Sequence, residues 1–506
     1  VIIINGDNLS IEEVQKVCFD YTPVSIATDA YEKINQSSAY IERVLKENQI
    51  VYGITTGVGE LANVLISAEN TQEMQVNLLR SHAVGVGDAV PEEIARGMML
   101  LRANALAKGF SGVRLELIQK LLDLLNHRIY PFIPSKGSVG SSGDLAPLSH
   151  LALVLIGEGE CLCDGCRYPS LEILTQKNIQ PIILQAKEGL ALINGTQLMT
   201  AIGCLALSAS ELLLKNAQII GAMSLEALRG TAKAFDARLH AVRPHAGQVR
   251  CAANMRRILE HSPNLQAHTH CQKVQDAYTL RCIPQVYGAV MDVIEYVRRV
   301  LAVEINSATD NPLIFVDSEE VISGGNFHGE PLAFAMDFLG IALSEIANIS
   351  ERTVDRLVNP HLSGLPAFLI KNQGLHSGMM IAQYTAAALV SENKIYAHPA
   401  SVDSIPTSAG QEDHVSMGPI SANHARNIIK NTEYVLAIEL LCAAQGMDFL
   451  EHRTSKGTEI AHRLVRKHVS HLEKDGILYK DIDKLRELIV SETLVAAVES
   501  EIGSLD

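Results

Sequence analysis

The run Gly137-Ser138-Val139-Gly140-Ser141-Ser142-Gly143 can do chemistry with its own backbone. In a sharply bent chain the amide nitrogen of Gly143 can attack the carbonyl of Ser141 and close a five-membered ring. Loss of water from Ser142 then leaves an exocyclic methylidene, which is an electrophile. Glycine is needed at 143 because a side chain there would obstruct the approach of the two backbone atoms. The same residues also read as an ordinary loop entering a helix, with Asp144 as its N-cap and Pro147 in the first turn. Residue types alone leave both readings open. A second cluster, Cys161, Cys163 and Cys166, places three thiols close in sequence, but no fourth ligand accompanies them. Asp164-Gly165 between them suits a hairpin turn, so no metal is expected.

The elements that must position such groups are mostly helical. Alanine- and leucine-rich segments run over 197–222, 286–304, 331–357, 377–396 and 420–447. Several are apolar nearly all round, as in "MMIAQYTAAALVSEN", which fits the middle of a bundle or a subunit interface. Strand signals are confined to residues 1–4 and a hairpin over about 160–169. The expected fold is therefore mainly α, a long-helix bundle core with a smaller mixed N-terminal domain carrying the Ser-Gly loop. The expected division is 1–195, 196–450 and a charged helical tail, 451–506. Between the helices lie five Gly-, Pro- and Asn-rich loops: "YGITTGVGE" (52–60), "INGTQ" (193–197), "SATDNPLIF" (307–315), "SGGNFHGEP" (323–331) and "HPASVDSIPTSAGQEDHVSM" (398–417). Polar loops on a rigid helical scaffold are the usual setting of an enzyme site.

Composition narrows the partners. The chain of 506 residues is 47% hydrophobic with a net charge of -15, which disfavours a nucleic-acid partner. The most apolar stretch, "LMTAIGCLALSASELLLKNAQIIGAM", carries Glu211, Lys215 and Asn216 and reads as a buried helix, not a membrane span. The start "VIIINGDNLS" lacks the pattern of a signal peptide, and an odd cysteine count of nine fits a reducing cytoplasm.

Taken in order, "YGITTGVG", "NLLRSHAVGVG", "GSVGSSGDLAPLSH", "LALINGTQ", "QDAYTLRCIPQV", "EINSATDNPL", "GGNFHGEP" and "ENKIYAHPASVDSIPTSAGQEDHVSMG" resemble the motifs of the aromatic amino-acid ammonia-lyases across nearly the whole chain. The resemblance implies the prosthetic group 4-methylideneimidazol-5-one (MIO), formed from Ser141-Ser142-Gly143 with Ser142 supplying the methylidene, and no external cofactor or metal. It implies a homotetramer whose active sites are shared between chains. By the same resemblance Tyr52 is the general base, Asn194 hydrogen-bonds the ring system, and Phe327 flanks it. Arg281 holds the substrate carboxylate as a bidentate pair, with Tyr278 supporting the site. Tyr278 and Arg281 lie three apart, so a helical turn would put them on one side.

Substrate choice turns on Ser81-His82 and on Glu412. The pair Ser81-His82 resembles members acting on L-histidine, and Glu412 stands where phenylalanine- and tyrosine-directed relatives commonly carry glutamine. A carboxylate and an imidazole suit a polar, titratable substrate ring. The expected reaction is L-histidine to trans-urocanate and ammonia. Two departures stand out: Ser141 replaces the usual alanine, and "TTGVG" replaces the more common "NTGFG". The alternatives are a tyrosine- or phenylalanine-directed lyase or 2,3-aminomutase of the same family and, in another class, an inactive helical scaffold.

Overall fold

The computed structural model describes residues 1–268 and 274–506. All five expected long helices are present, as Gln197–Ala227, Ile283–Glu304, Glu330–Val358, Met380–Tyr396 and Gly418–Met447. The fold is mainly α, as expected.

The chain forms two compact units, and their sequence make-up differs from the three consecutive segments expected. The first comprises Val1–Leu205, Arg298–Met336 and Pro399–Asn423; the second comprises Ala206–Val297, Asp337–His398 and His424–Asp506. Four of the five junctions fall inside long helices. The reason is length: the 31 residues of Gln197–Ala227 span about 46 Å at 1.5 Å per residue, more than the diameter of a small domain. A helix of that length cannot end where a consecutive domain would.

The first unit holds every strand among the described residues. Ile2–Ile4 pairs in parallel with Val24–Ile26, and Val86–Ala89 pairs antiparallel with Pro134–Lys136. Glu160–Cys163 and Cys166–Pro169 form the expected hairpin, which Tyr130–Pro131 joins. The remaining strands went unforeseen because two to four residues are too few for an alternation signal.

The second unit is built of helices around a core that includes Leu225, Ile346 and Leu440. Helix Met380–Tyr396 does not lie in the middle of a bundle. Only Ala382, Ala386 and Asn393 are buried, while Ile381, Tyr384 and Ile395 are 58%, 60% and 70% exposed. Gln197–Ala227 and Glu330–Val358 are long and apolar enough to cross a membrane, yet 72% of each apolar window is buried within the protein. Both are core helices.

Candidate active site

The Ser-Gly loop is sharply bent. Gly140, Ser142 and Gly143 all adopt left-handed backbone, with φ of 78°, 48° and 79°. A serine in that region is strained, and its neighbours hold it there. Gly143 forms a bridge to Gly195, and the next N–H, of Asp144, donates to the Gly195 carbonyl at 2.6 Å. A Cβ on Gly143 would sit 2.1 Å from that same carbonyl oxygen, so only glycine fits. The loop is thereby fastened alongside Asn194-Gly195. These residues fit the group expected of them: the bend, the missing side chain at 143 and the half-buried Ser142 on a cavity wall are all present.

Asp144 does not cap its own helix, Leu145–Leu155. Its Oδ2 accepts the N–H groups of Leu198 and Met199, at 2.7 and 3.2 Å, and so caps the first turn of Gln197–Ala227 from a distance. Unpaired N–H groups at the start of a long helix are a strong draw for a nearby carboxylate. Burial raises the Asp144 pKa to about 7, against the pull of those two N–H groups.

A cavity of about 720 Å³ opens beside Ser142. Tyr52, His82, Asn194, Phe327 and Glu412 also line it, and all belong to the first unit. The Tyr52 phenol oxygen accepts the Gly59 N–H at 3.1 Å, which fixes it against its own loop. A Cβ on Gly59 would come within 2.6 Å of Ser408 Oγ and 3.4 Å of Glu412 Oε1, so the two loops touch there. His82 ends helix Thr71–His82, and its Nδ1 lies 2.9 Å from the Leu78 carbonyl. That acceptor requires a proton on Nδ1 and leaves Nε2 as an acceptor. Burial lowers the His82 pKa, while the Leu78 carbonyl and the charge of Glu412 oppose it. Backbone bonds between Thr407 and Glu412, 2.9 and 3.3 Å, hold the Glu412 turn. Its Oε2 is buried with no partner among the described residues.

Besides Gly143, which is buried behind Ser142, three of the residues expected at the site do not line this cavity. Ser81 is exposed and bonds the Leu78 carbonyl at 3.0 Å, with His82 Nδ1 also 3.0 Å away. Tyr278 and Arg281 do share one side of a helical turn, Tyr278–Arg281, with the guanidinium 4.5 Å over the tyrosine ring. They belong to the second unit, and Tyr278 is 71% exposed.

Other residues were missed. Thr407 Oγ1 donates to Ser141 Oγ at 3.0 Å. Lys187 and Asp310, both buried, pair at 2.6 Å. Arg102, fully buried, donates to the carbonyls of Asn194 (3.0 Å) and Ala191 and to Gln197 Oε1 at 2.8 Å. Burial lowers its pKa to about 10. A lone arginine inside the apolar run "MMLLRANALA" was the available signal. His328, Glu330 and His414 bring possible ligand atoms within 4.8 Å of one another. Both His328 nitrogens are already used, Nδ1 by the Glu330 N–H and Nε2 by the His414 carbonyl, each at 3.3 Å.

The aromatic amino acid lyase family profile matches residues 9–467. The chain is 54% identical over 502 residues to the histidine ammonia-lyase of Alkaliphilus oremlandii, covering 99% of each. Among solved structures it is similar to histidine ammonia-lyase from Trypanosoma cruzi, with TM-score 0.92 and 43% identity, covering 100% of this chain and 98% of that one. It is also similar to a tyrosine aminomutase from Streptomyces globisporus, with TM-score 0.93 and 40% identity, covering 99% and 98%. A bent Ser-Gly loop on the wall of a cavity, in a chain matched end to end by such relatives, has one reading: the chain belongs to the aromatic amino acid lyase family.

Proposed function

We propose that this chain is a carbon–nitrogen lyase that converts L-histidine to trans-urocanate and ammonia, using MIO formed from Ser141-Ser142-Gly143. The family is in general MIO-dependent. The observation that carries the substrate choice is the placing of His82 and Glu412 on the wall of the cavity that contains Ser142. The Glu412 Oε2, without a partner among the described residues, and the His82 Nε2 are both acceptors, matched to the two N–H donors of a protonated imidazole ring.

The group, once formed, supplies an electrophile that takes up the amine and makes ammonia a better leaving group. Tyr52, entering the step as its phenolate, accepts the β-proton, the C–H electron pair becomes the new double bond, and the C–N bond breaks as ammonia departs. Glu412 and His82 hold the imidazole, with Ser81 orienting His82 from behind. Phe327 walls the reacting end, and Asn194 lies beside the ring-forming loop. Arg281 grips the carboxylate and Tyr278 supports it, both reaching the cavity of a neighbouring subunit in a homotetramer. The exposure of Tyr278 supports that reading. So does an apolar stripe at i, i+4 and i+7 on Glu330–Val358, where Phe334, Phe338 and Ile341 are 42%, 46% and 42% exposed. The proposed setting is the cytoplasm.

Incubation with L-histidine, followed by the ultraviolet absorbance of urocanate, tests the reaction. Appearance of urocanate is expected; consumption of L-tyrosine or L-phenylalanine with no urocanate overturns the substrate reading. A mass deficit of two waters in the peptide spanning 137–150 tests ring formation separately.

A further inference from the structure

The Asn194 carboxamide is held from behind in a single orientation. Its Nδ2 donates to the Asn311 carbonyl at 2.9 Å and approaches Asp310 Oδ1 at 3.4 Å. Two acceptors on one side require the NH2 group there, so the amide cannot be turned over without losing both. Asp310 is itself fixed: Oδ1 accepts the Asn311 N–H at 2.7 Å, and Oδ2 pairs with Lys187 at 2.6 Å. The pair is sealed, with Lys187 0% and Asp310 2% exposed. Arg102 anchors the Asn194 carbonyl from the same interior. What remains is Asn194 Oδ1, buried and without a partner among the described residues. A buried acceptor left unpaired is costly, and on a residue that lines a cavity it marks a place for a ligand's donor.

Resting on the histidine reading above, we propose that Lys187 and Asp310 are positioning residues that hold the Asn194 side-chain oxygen, Oδ1, as an acceptor for the substrate's ammonium group. The placement decides which donor is meant. Gly195 is bridged to Gly143, so Asn194 sits beside the loop that receives the amine, whereas the imidazole goes to His82 and Glu412. The role differs from the one expected of Asn194 as a donor to the ring system, because both its N–H groups are directed at Asp310 and Asn311. A carbonyl oxygen discriminates between ligand ends: it accepts from an ammonium and repels a carboxylate.

Two ligands that cannot complete the reaction separate these ends. Histamine keeps the ring and the ammonium, while 3-(imidazol-4-yl)propanoate keeps the ring and the carboxylate. Their dissociation constants are measured by calorimetric titration of the full chain, its Asp310→Asn variant and the double variant Lys187→Met/Asp310→Asn. The double variant removes both buried charges together, so neither is left unpaired if the single variant fails to fold. In each variant that folds, histamine is expected to bind about tenfold or more weaker, while the propanoate changes less than about twofold, too small for a lost hydrogen bond. Equal weakening of both ligands overturns the proposal, as does selective loss of the propanoate or parent-like histamine binding in the folded double variant. If the unmodified chain binds neither ligand, the histidine reading itself fails and takes this inference with it.

Discussion

The cavity loops and the Tyr278–Arg281 turn carry residues proposed for one reaction, in opposite settings. On the cavity wall Asn194 is held from several sides: it is 3% exposed, its carboxamide is backed by Asp310 and Asn311, and its backbone carbonyl is held by Arg102. In the turn, Tyr278 is 71% exposed, and its one described ring contact is the guanidinium of Arg281. The difference teaches where preorganisation comes from. Chemistry at the β-carbon and the amine needs groups fixed before substrate arrives, and the fold of a single unit supplies that rigidity. In the proposed homotetramer the carboxylate grip comes from a second chain. Breaking either half should therefore give different phenotypes.

The largest effect is expected at the fixed half. Ser142→Ala removes the source of the methylidene by deleting one hydroxyl, so the fold should survive while turnover falls by several orders of magnitude. Near-parental turnover in this variant, with the mass deficit gone, would break the MIO assignment.

Next comes Glu412→Gln, which sharpens the role of the cavity's far wall. Preference for L-histidine over L-tyrosine should fall by up to roughly 10⁴-fold, the range seen when a site loses the partner of a buried polar group. A pH–rate profile adds an independent check. Burial already lowers the His82 pKa, and the Glu412 charge opposes that shift. Removing the charge should move the His82 titration further down, so the acid limb shifts to lower pH. An unmoved limb with equal losses on both substrates would make Glu412 structural.

Arg281→Gln addresses the carboxylate grip. Loss of two charge-assisted hydrogen bonds should raise KM by about a hundredfold. Co-expression with Ser142→Ala chains should then restore activity, because a mixed tetramer can form sites with both an intact loop and an intact arginine. Absence of any recovery in tetramers shown to be mixed would place Arg281 in its own chain's site.

The two halves were also unequally legible in the sequence. Helices such as Gly418–Met447 announce themselves through apolar residues sustained over many turns. The residues that touch the cavity sit in loops whose Gly, Asn and Ser content is visible locally, which is why Tyr52, Ser142, Asn194 and Glu412 were found. Their supports were not. Lys187 lies 123 residues from Asp310, and Thr407 lies 266 from Ser141, so no local pattern links either pair. The reach of Asp144 was misread for the same reason: its own helix was adjacent in sequence, but the competing N-terminus at Leu198 was adjacent only in space. The two compact units follow no consecutive division because helices such as Gln197–Ala227 carry the chain from one to the other.

The smallest effect is expected at Ser141, next door to the most sensitive residue. Ring closure uses only the carbonyl of residue 141, so its side chain should be a spectator, yet the structure gives that side chain a job. Its oxygen accepts from Thr407, whose backbone holds the Glu412 turn. Ser141→Ala therefore leaves one hydroxyl of Thr407 without its protein acceptor. Thr407 is half-buried, so water can take the place of that acceptor, and the net cost should stay near the 0.5–1.5 kcal/mol of an ordinary hydrogen bond. Activity should remain within about tenfold, which corresponds to roughly 1.4 kcal/mol on the barrier. Thr407→Val removes the same bond from its other end and should cause a loss of similar size, while the dehydration signature stays intact in both variants. If Ser141→Ala instead loses the mass deficit while Ser142→Ala keeps it, the electrophile arises from the other serine. If Thr407→Val alone is severely impaired, the hydrogen bond matters for the Glu412 turn and not for the loop that carries Ser142.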